Sequence, residues 1–426
     1  MTNTLSPQLL LTTGFALALV ISTLVRFWLA SRQVRHVASH RGVVPQEFAQ
    51  AVPLSAHQKA ADYTIAKTRL GLIEVALGAG IVLGWTLLGG LDALNVATMG
   101  ITGPGMVQQL TLVVGFAVIS GLVDLPLSWY QTFVLEERFG FNKMRLGLWL
   151  VDLLKSALVG GVIGIPLLAL VLWLMGAAGP RWWLWAWSVW IGFNLLLLLV
   201  YPTFIAPMFN KFRPLDDETL KSRVTALMQR CGFAAKGLFV MDGSKRSAHA
   251  NAYFTGFGAA KRVVFYDTLL SKLSAGEVDA VLAHELGHFR HRHVIKRIAS
   301  LFALSLGAFG LLGWLSAQAW FYTALGVRPN LVASAPNDAL AVLLFMLVAP
   351  AFGFFISPVF AQLSRKQEFE ADAYAVAQTN HQDLSAALLK LYEDNASTLT
   401  PDPLYVKFYY SHPPASERLS RLAIQL

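Results

Sequence analysis

Seven long apolar runs pattern the chain, at about residues 9–30, 70–90, 106–129, 149–176, 182–206, 299–324 and 339–361. Each approaches or exceeds the roughly 20 residues that a helix needs to cross about 30 Å of hydrocarbon. Any one of them alone would also fit a buried helix of a soluble domain, but seven in one chain predict a polytopic, mainly α membrane protein. The polar stretches between them divide the chain into four parts. Residues 1–206 carry five spans with their loops, and 207–298 form a segment outside the membrane. Residues 299–361 carry two further spans, and 362–426 form a terminal segment.

Composition agrees with that pattern. Hydrophobic residues make up 55% of the 426 positions and charged residues only 14%, more apolar content than a soluble core of this size needs. The first run ends in RFWLASRQVRH and not at a small-residue cleavage site, so it is expected to be a retained helix. Cys231 is the sole cysteine, which excludes an intrachain disulfide.

The net charge of +9 acquires a meaning once the spans are placed. With residues 1–8 outside, only Arg181 and Arg328 fall in outer loops, and Arg26 and Lys155 fall within spans. The other 30 of the 34 Lys and Arg residues lie on the inner side. This is the positive-inside asymmetry, and it explains the basic balance without nucleic acid. Segments 207–298 and 362–426 are then expected to face the cytoplasm, with the two termini on opposite sides. Glu74, Asp124, Asp152 and Lys155 fall inside spans. Asp152 and Lys155, three residues apart, are expected to pair on one helix face. Together these residues point to a polar interior among the helices.

Candidate chemistry concentrates in AHELGHFRHRH, Ala283–His293, which holds four of the ten histidines. HELGH matches H-E-x-x-H: on a helix, His284 and His288 lie about 6 Å apart along one face and can bind one zinc ion. Glu285 is the candidate general base for a metal-activated water. The helix has its start signal in SAGE, Ser274–Glu277, a capping box followed by the apolar VLAHELGH. His291 lies seven residues, or about 10.5 Å of rise, beyond His284 and is excluded from the same ion. It and His293 are expected at the membrane interface or behind the ligands.

A zinc hydrolase needs a third protein ligand. A histidine six residues after His288, as metzincins have, is excluded, since that position is Val294. SRKQEFEADAYA, residues 364–375, offers Glu368 and Asp372 on one helical face. One carboxylate can bind the metal while the other orients a ligating histidine. Glu370 points roughly opposite and is the weaker candidate. Both halves of this site are tethered to spans, which suits a substrate that arrives from the bilayer. A transporter or receptor with a structural zinc is the rival class. Closed structural sites are commonly built of cysteines, and a single cysteine counts against it.

At this level the chain resembles the type I CAAX prenyl endopeptidases, seven-span zinc metalloproteases. FVLEERFGFNK (133–143), IAPMFNKFRPL (205–215), HANAYFTGFGAAKRVVFYDTLL (249–270), HELGH, SRKQEFEADAYA and SHPPASERL (411–419) carry the resemblance in order. It implies a chambered helical barrel with a small α+β zinc metalloprotease unit. In that unit Glu368 would be the third ligand of one zinc per chain. It implies that Asn251 and Ala252 lie on an edge strand that holds the substrate backbone. It further implies that His412 donates to the oxyanion, that Arg418 supports the metal shell, and that the C-terminal tripeptide after a prenylated cysteine is removed. Asp372 is expected behind a ligating histidine. The expected partners are a peptide or protein substrate, lipidated or membrane-embedded, and membrane lipids, with no nucleic acid. A heat-shock type of membrane quality-control protease is the alternative duty. The chain ends RLAIQL without a dilysine signal. The expected location is a bacterial inner membrane with the site toward the cytoplasm.

Overall fold

The Ser6 side chain accepts a hydrogen bond from the Leu9 N–H, and Pro7 opens helix α1 (Pro7–His40), as N-cap chemistry dictates. The computed structural model describes residues 6–233, 237–255, 262–330 and 335–424, so residues 256–261 of the HANAY segment lie outside the described residues. After α1 come α2 (Leu54–Trp85), α3 (Gly90–Thr102) and α4 (Met106–Tyr130), which continues as a π-helical stretch, Gln131–Glu136. Next follow α5 (Leu146–Ala177), α6 (Trp182–Val200), a second π-helical stretch Tyr201–Ile205, and the short α7 (Ala206–Phe209). Seven helical segments among the described residues are long and apolar enough to cross a membrane, in the order the sequence predicts.

A four-stranded sheet follows: β1 (Phe212–Pro214), then helix α8 (Glu218–Arg230), β2 (Gly237–Met241), β3 (Ala252–Thr255) and β4 (Arg262–Tyr266). The strand order is β1-β2-β4-β3, with β2 parallel to β4 and the outer pairs antiparallel. Helices α9 (Asp267–Leu270) and α10 (Ala275–Arg290) pack on it, and the sixth span, α11 (His293–Leu315), follows at once. After α12 (Ala319–Ala324), α13 (Asp338–Gly353) runs through one 3₁₀ turn into α14 (Ser357–Gln378). Then come α15 (His381–Asp394), α16 (Pro403–Tyr409) and α17 (Ala415–Ile424).

Among the described residues, the two largest of four hydrophobic clusters hold most of these elements, and the space between those two matters most. One core, with Phe15, Leu112, Leu172, Ala186, Phe321 and Leu340, closes the barrel at the end away from the sheet. The other, with Val224, Val263, Phe265, Leu269, Leu282 and Leu286, joins the sheet to α8, α10 and α15. Each large apolar side chain buried there contributes about 1.5–3 kcal/mol. In the most apolar stretches of α2, α5 and the α4 and α6 segments, by contrast, no more than 11% of residues are buried. A helix in a packed bundle buries a whole stripe. Helices exposed on both faces wall a hollow, with lipid on one side and a chamber on the other. The expected chambered barrel is the observed architecture.

The structure redraws some details. The sixth span ends at Leu315, and residues 319–324 form the separate α12. Its Tyr322 hydroxyl donates to the Ser316 carbonyl at 2.7 Å, satisfying one of the freed helix-end groups. The expected Asp152–Lys155 pair is replaced by longer-range partners. Arg246 grips Asp152 at 2.9 and 3.1 Å, and the Lys155 ammonium donates to the Met208 carbonyl at 2.8 Å. These contacts tie α5 to the loop before β3 and to the end of α7. Glu74 faces a cavity together with Arg26 and Lys67, while Asp124 is exposed.

Candidate active site

Local signals build the helix that carries HELGH. The Ser274 hydroxyl accepts from the Glu277 N–H, and the Glu277 carboxylate accepts from the Ser274 N–H at 2.7 Å, completing the capping box. α10 then lies along α14. A methyl group on Gly287 would stand 2.9 Å from the Ala371 Cα, so glycine is what allows this approach. The close crossing brings HELGH against EFEAD.

Three donor atoms converge there. His284 Nε2 and His288 Nε2 are 3.3 Å apart; His284 Nε2 is 3.4 Å from Glu368 Oε2, and His288 Nε2 is 3.4 Å from Glu368 Oε1. A tetrahedral metal with ligand bonds of about 2.0–2.1 Å holds its donors about 3.3–3.4 Å apart. Glu368 Oε2, the oxygen toward His284, is buried without a hydrogen-bond partner. The residues present therefore fit a bound divalent metal. Asp372, four residues on along α14, accepts from His284 Nδ1 at 2.8 Å. Arg418 on α17 grips the same carboxylate, its Nε donating to the far oxygen at 2.8 Å. All four of these side chains, His284, Glu368, Asp372 and Arg418, are buried.

Charge reinforces the arrangement. Burial opposes a proton on His284, but hydrogen bonds to the Asp372 and Glu368 carboxylates outweigh it and push the pKa up to about 9 in the metal-free chain. His412, on the loop between α16 and α17, stands 3.4 Å from Glu368. Its ring lines a cavity of about 740 Å³ with Arg26, Lys67, Glu74, Tyr392 and Arg418. Enclosure by the cavity wall lowers its pKa, with the Glu368 charge opposing. Glu285 is half-buried on the ligand helix.

Of the two residues expected on an edge strand, Ala252 opens β3 and Asn251 immediately precedes it. β3 is an edge of the sheet and packs beside α10. The Tyr266 N–H donates to the Asn251 carbonyl at 3.0 Å, so the main chain of Asn251 faces β4. Strand alternation then turns the main chain of Ala252 to the free edge, where the Asn251 side chain accepts from its N–H at 2.8 Å. Glu370 stands apart from the His284, His288 and Glu368 group; it lies 2.9 Å from His293. Sequence reasoning missed a second group. Tyr63 donates to Glu136 at 2.6 Å, His249 stacks on Phe141, and Asn395 accepts from the Ala250 N–H at 3.2 Å. Only the π-helical stretch that ends at Glu136 marks the place.

Two histidines and a glutamate on crossed helices, beside a free strand edge and against a membrane chamber, define a membrane-embedded metallopeptidase. Comparison with known proteins agrees. Residues 33–211 match the family described as CAAX prenyl protease N-terminal, five membrane helices, and residues 214–424 match Peptidase family M48. CAAX prenyl protease 1 of Saccharomyces cerevisiae is 39% identical over 334 residues, covering 74% of this chain and 72% of the yeast protein. The CAAX prenyl protease 1 homolog of Homo sapiens is 31% identical, covering 96% of this chain and 95% of the human one. The crystal structure of S. mikatae Ste24p superimposes with a TM-score of 0.90 at 30% identity, covering 98% of this chain and 99% of that one. The chain belongs to peptidase family M48. It is an integral, multi-pass membrane metalloendopeptidase of the CAAX prenyl protease type and acts on peptide or protein substrates. These relatives are eukaryotic and lend no support to a bacterial source.

Proposed function

We propose that the metal is zinc, that His284, His288 and Glu368 hold it, and that the enzyme cuts prenylated C-a-a-X chain ends after the lipidated cysteine. The observation that carries this reading is the convergence of His284, His288 and Glu368 at the wall of the chamber, their donor atoms within 4.8 Å of one another and each imidazole 3.4 Å from a carboxylate oxygen. Two imidazoles and one carboxylate are the donor set of zinc hydrolases that leave a position open for water. Zinc, when bound, supplies a Lewis acid that acidifies water and polarises the scissile carbonyl. Glu285 takes the proton of the attacking water and passes it to the leaving amine. His412 donates to the oxygen that gains charge as the carbonyl becomes tetrahedral. Asp372 fixes the ring of His284, and Arg418 fixes Asp372. The substrate lies along β3 as an added strand, hydrogen-bonded at Ala252 with Asn251 beside it.

In this reading residues 1–206 form most of the vessel, and 207–298 and 362–426 are the two halves of the catalytic unit. Residues 299–361 join them through the bilayer. The catalytic unit and the C-terminus face the cytoplasm, supported by the Lys and Arg asymmetry. Reporter fusions at the two ends are expected to report opposite sides of the membrane. A C-terminus found outside would reverse the sidedness and leave the chemistry untouched.

Lipid recognition is tested with a matched pair of peptides. A prenyl chain gains about 0.8 kcal/mol for each methylene removed from water. A chamber that reads apolar bulk plus an extended backbone should cut the prenylated peptide with the higher kcat/KM, in liposomes and in detergent alike. Equal values for the two peptides would reject prenyl recognition and favour quality control of membrane proteins as the duty of the same site.

A further inference from the structure

The environment of His284 is matched on the other ligating histidine by a longer connection. His288 Nδ1 lies 2.9 Å from His293 Nδ1, and His293 Nε2 lies 2.9 Å from Glu370 Oε2. His293 is buried, whereas Glu370 is about one-third exposed, with Lys366 at 4.0 Å. The contact depends on a break in the helix. Five residues along an unbroken helix turn a side chain about 140° away. Here α10 stops at Arg290, Arg292 adopts the left-handed conformation with φ 57°, and α11 restarts at His293. A non-glycine residue in that region is uncommon and carries a local cost. It folds His293 back onto the ring of His288.

Counting protons then orders the whole connection. A neutral imidazole carries one N–H and one lone pair. Resting on the ligand assignment proposed above, His288 offers the lone pair of Nε2 to the metal, so its proton is on Nδ1. That proton needs the lone pair of His293 Nδ1, so the proton of His293 is on Nε2 and is donated to Glu370. The same count bears on a second cluster. Donor atoms of His291, His293 and Glu370 also lie within 4.8 Å of one another. A metal on His293 Nε2 would force a proton onto His293 Nδ1, facing the one on His288 Nδ1. With zinc on His288 that cluster does not hold a metal.

We propose that His293 and Glu370 are positioning residues for the metal: through His293, the Glu370 carboxylate fixes the tautomer and ring orientation of His288, as Asp372 does directly for His284. Such outer partners are typically worth about 10–100-fold in metal affinity. The test measures zinc affinity of the full-length protein in detergent by chelator competition, with zinc-to-protein ratios alongside. Glu370→Ala is expected to bind zinc about 10-fold more weakly or worse, and its kcat/KM should recover at saturating zinc. Glu370→Gln keeps an acceptor for His293 Nε2–H and should return most of the lost affinity. His293→Ala should weaken zinc at least as much, and adding Glu370→Ala to it should cost no more. Wild-type affinity in Glu370→Ala would overturn the proposal. So would a ratio of two zinc ions per chain that falls to one in Glu370→Ala, because His291, His293 and Glu370 would then form a second metal site. Zinc retained in Glu368→Ala would overturn instead the ligand assignment beneath it.

Discussion

Replacing Glu285 by Gln is expected to abolish peptidase turnover while leaving the metal in place. The amide matches the carboxylate in size, so α10 keeps its packing against α14, and none of the three converging donors is touched. What is lost is the ability to take a proton from water. General-base catalysis contributes about 10²–10⁴-fold, and the decrease should fall on kcat, since the strand edge at Ala252 is intact. Metal analysis and turnover on the same preparation check it. A metal-replete variant that turns over at the wild-type rate would remove Glu285 from the mechanism.

Glu368→Ala is expected to lose the metal itself. It removes one of three donors and leaves His284 and His288 facing an empty corner beside the buried Asp372–Arg418 pair. Affinity should fall by more than the roughly 100-fold that marks loss of an outer partner. Added zinc should no longer raise the melting temperature, because that rise reports binding to the folded state. Glu370→Ala, one helical face away, should still fill at high zinc. Elemental analysis of both proteins decides between them, and the reverse pattern would make Glu370 the third ligand.

Much of this site can be read from short-range periodicity. H-E-x-x-H, the Ser274–Glu277 capping box and the shared face of Glu368 and Asp372 are local patterns, and the fold keeps them. Which carboxylate binds the metal came from family resemblance, as did Arg418 and His412, because α17 and the loop before it reach the site only in three dimensions. The His288–His293 contact was hidden by the left-handed Arg292, a backbone departure that no apolar pattern announces. Asp152 was assigned a partner three residues away, and its true partner, Arg246, lies 94 positions along the chain. The end of the sixth span was misplaced because Ala319–Ala324, AWFYTA, carries no charged residue to mark the break. Hydrophobicity measures a preference for burial or lipid and carries no instruction to stop a helix.

The proposed metal site is divided between helices joined through two membrane crossings. His284 and His288 leave the ribosome about 80 residues before Glu368, and α11 and α13 must both be inserted before α14 can return to α10. Until then there is no third donor and no Asp372 behind His284. In the proposed site, completion waits on the last membrane crossing for Glu368 and Asp372, and on α17 and the loop before it for Arg418 and His412.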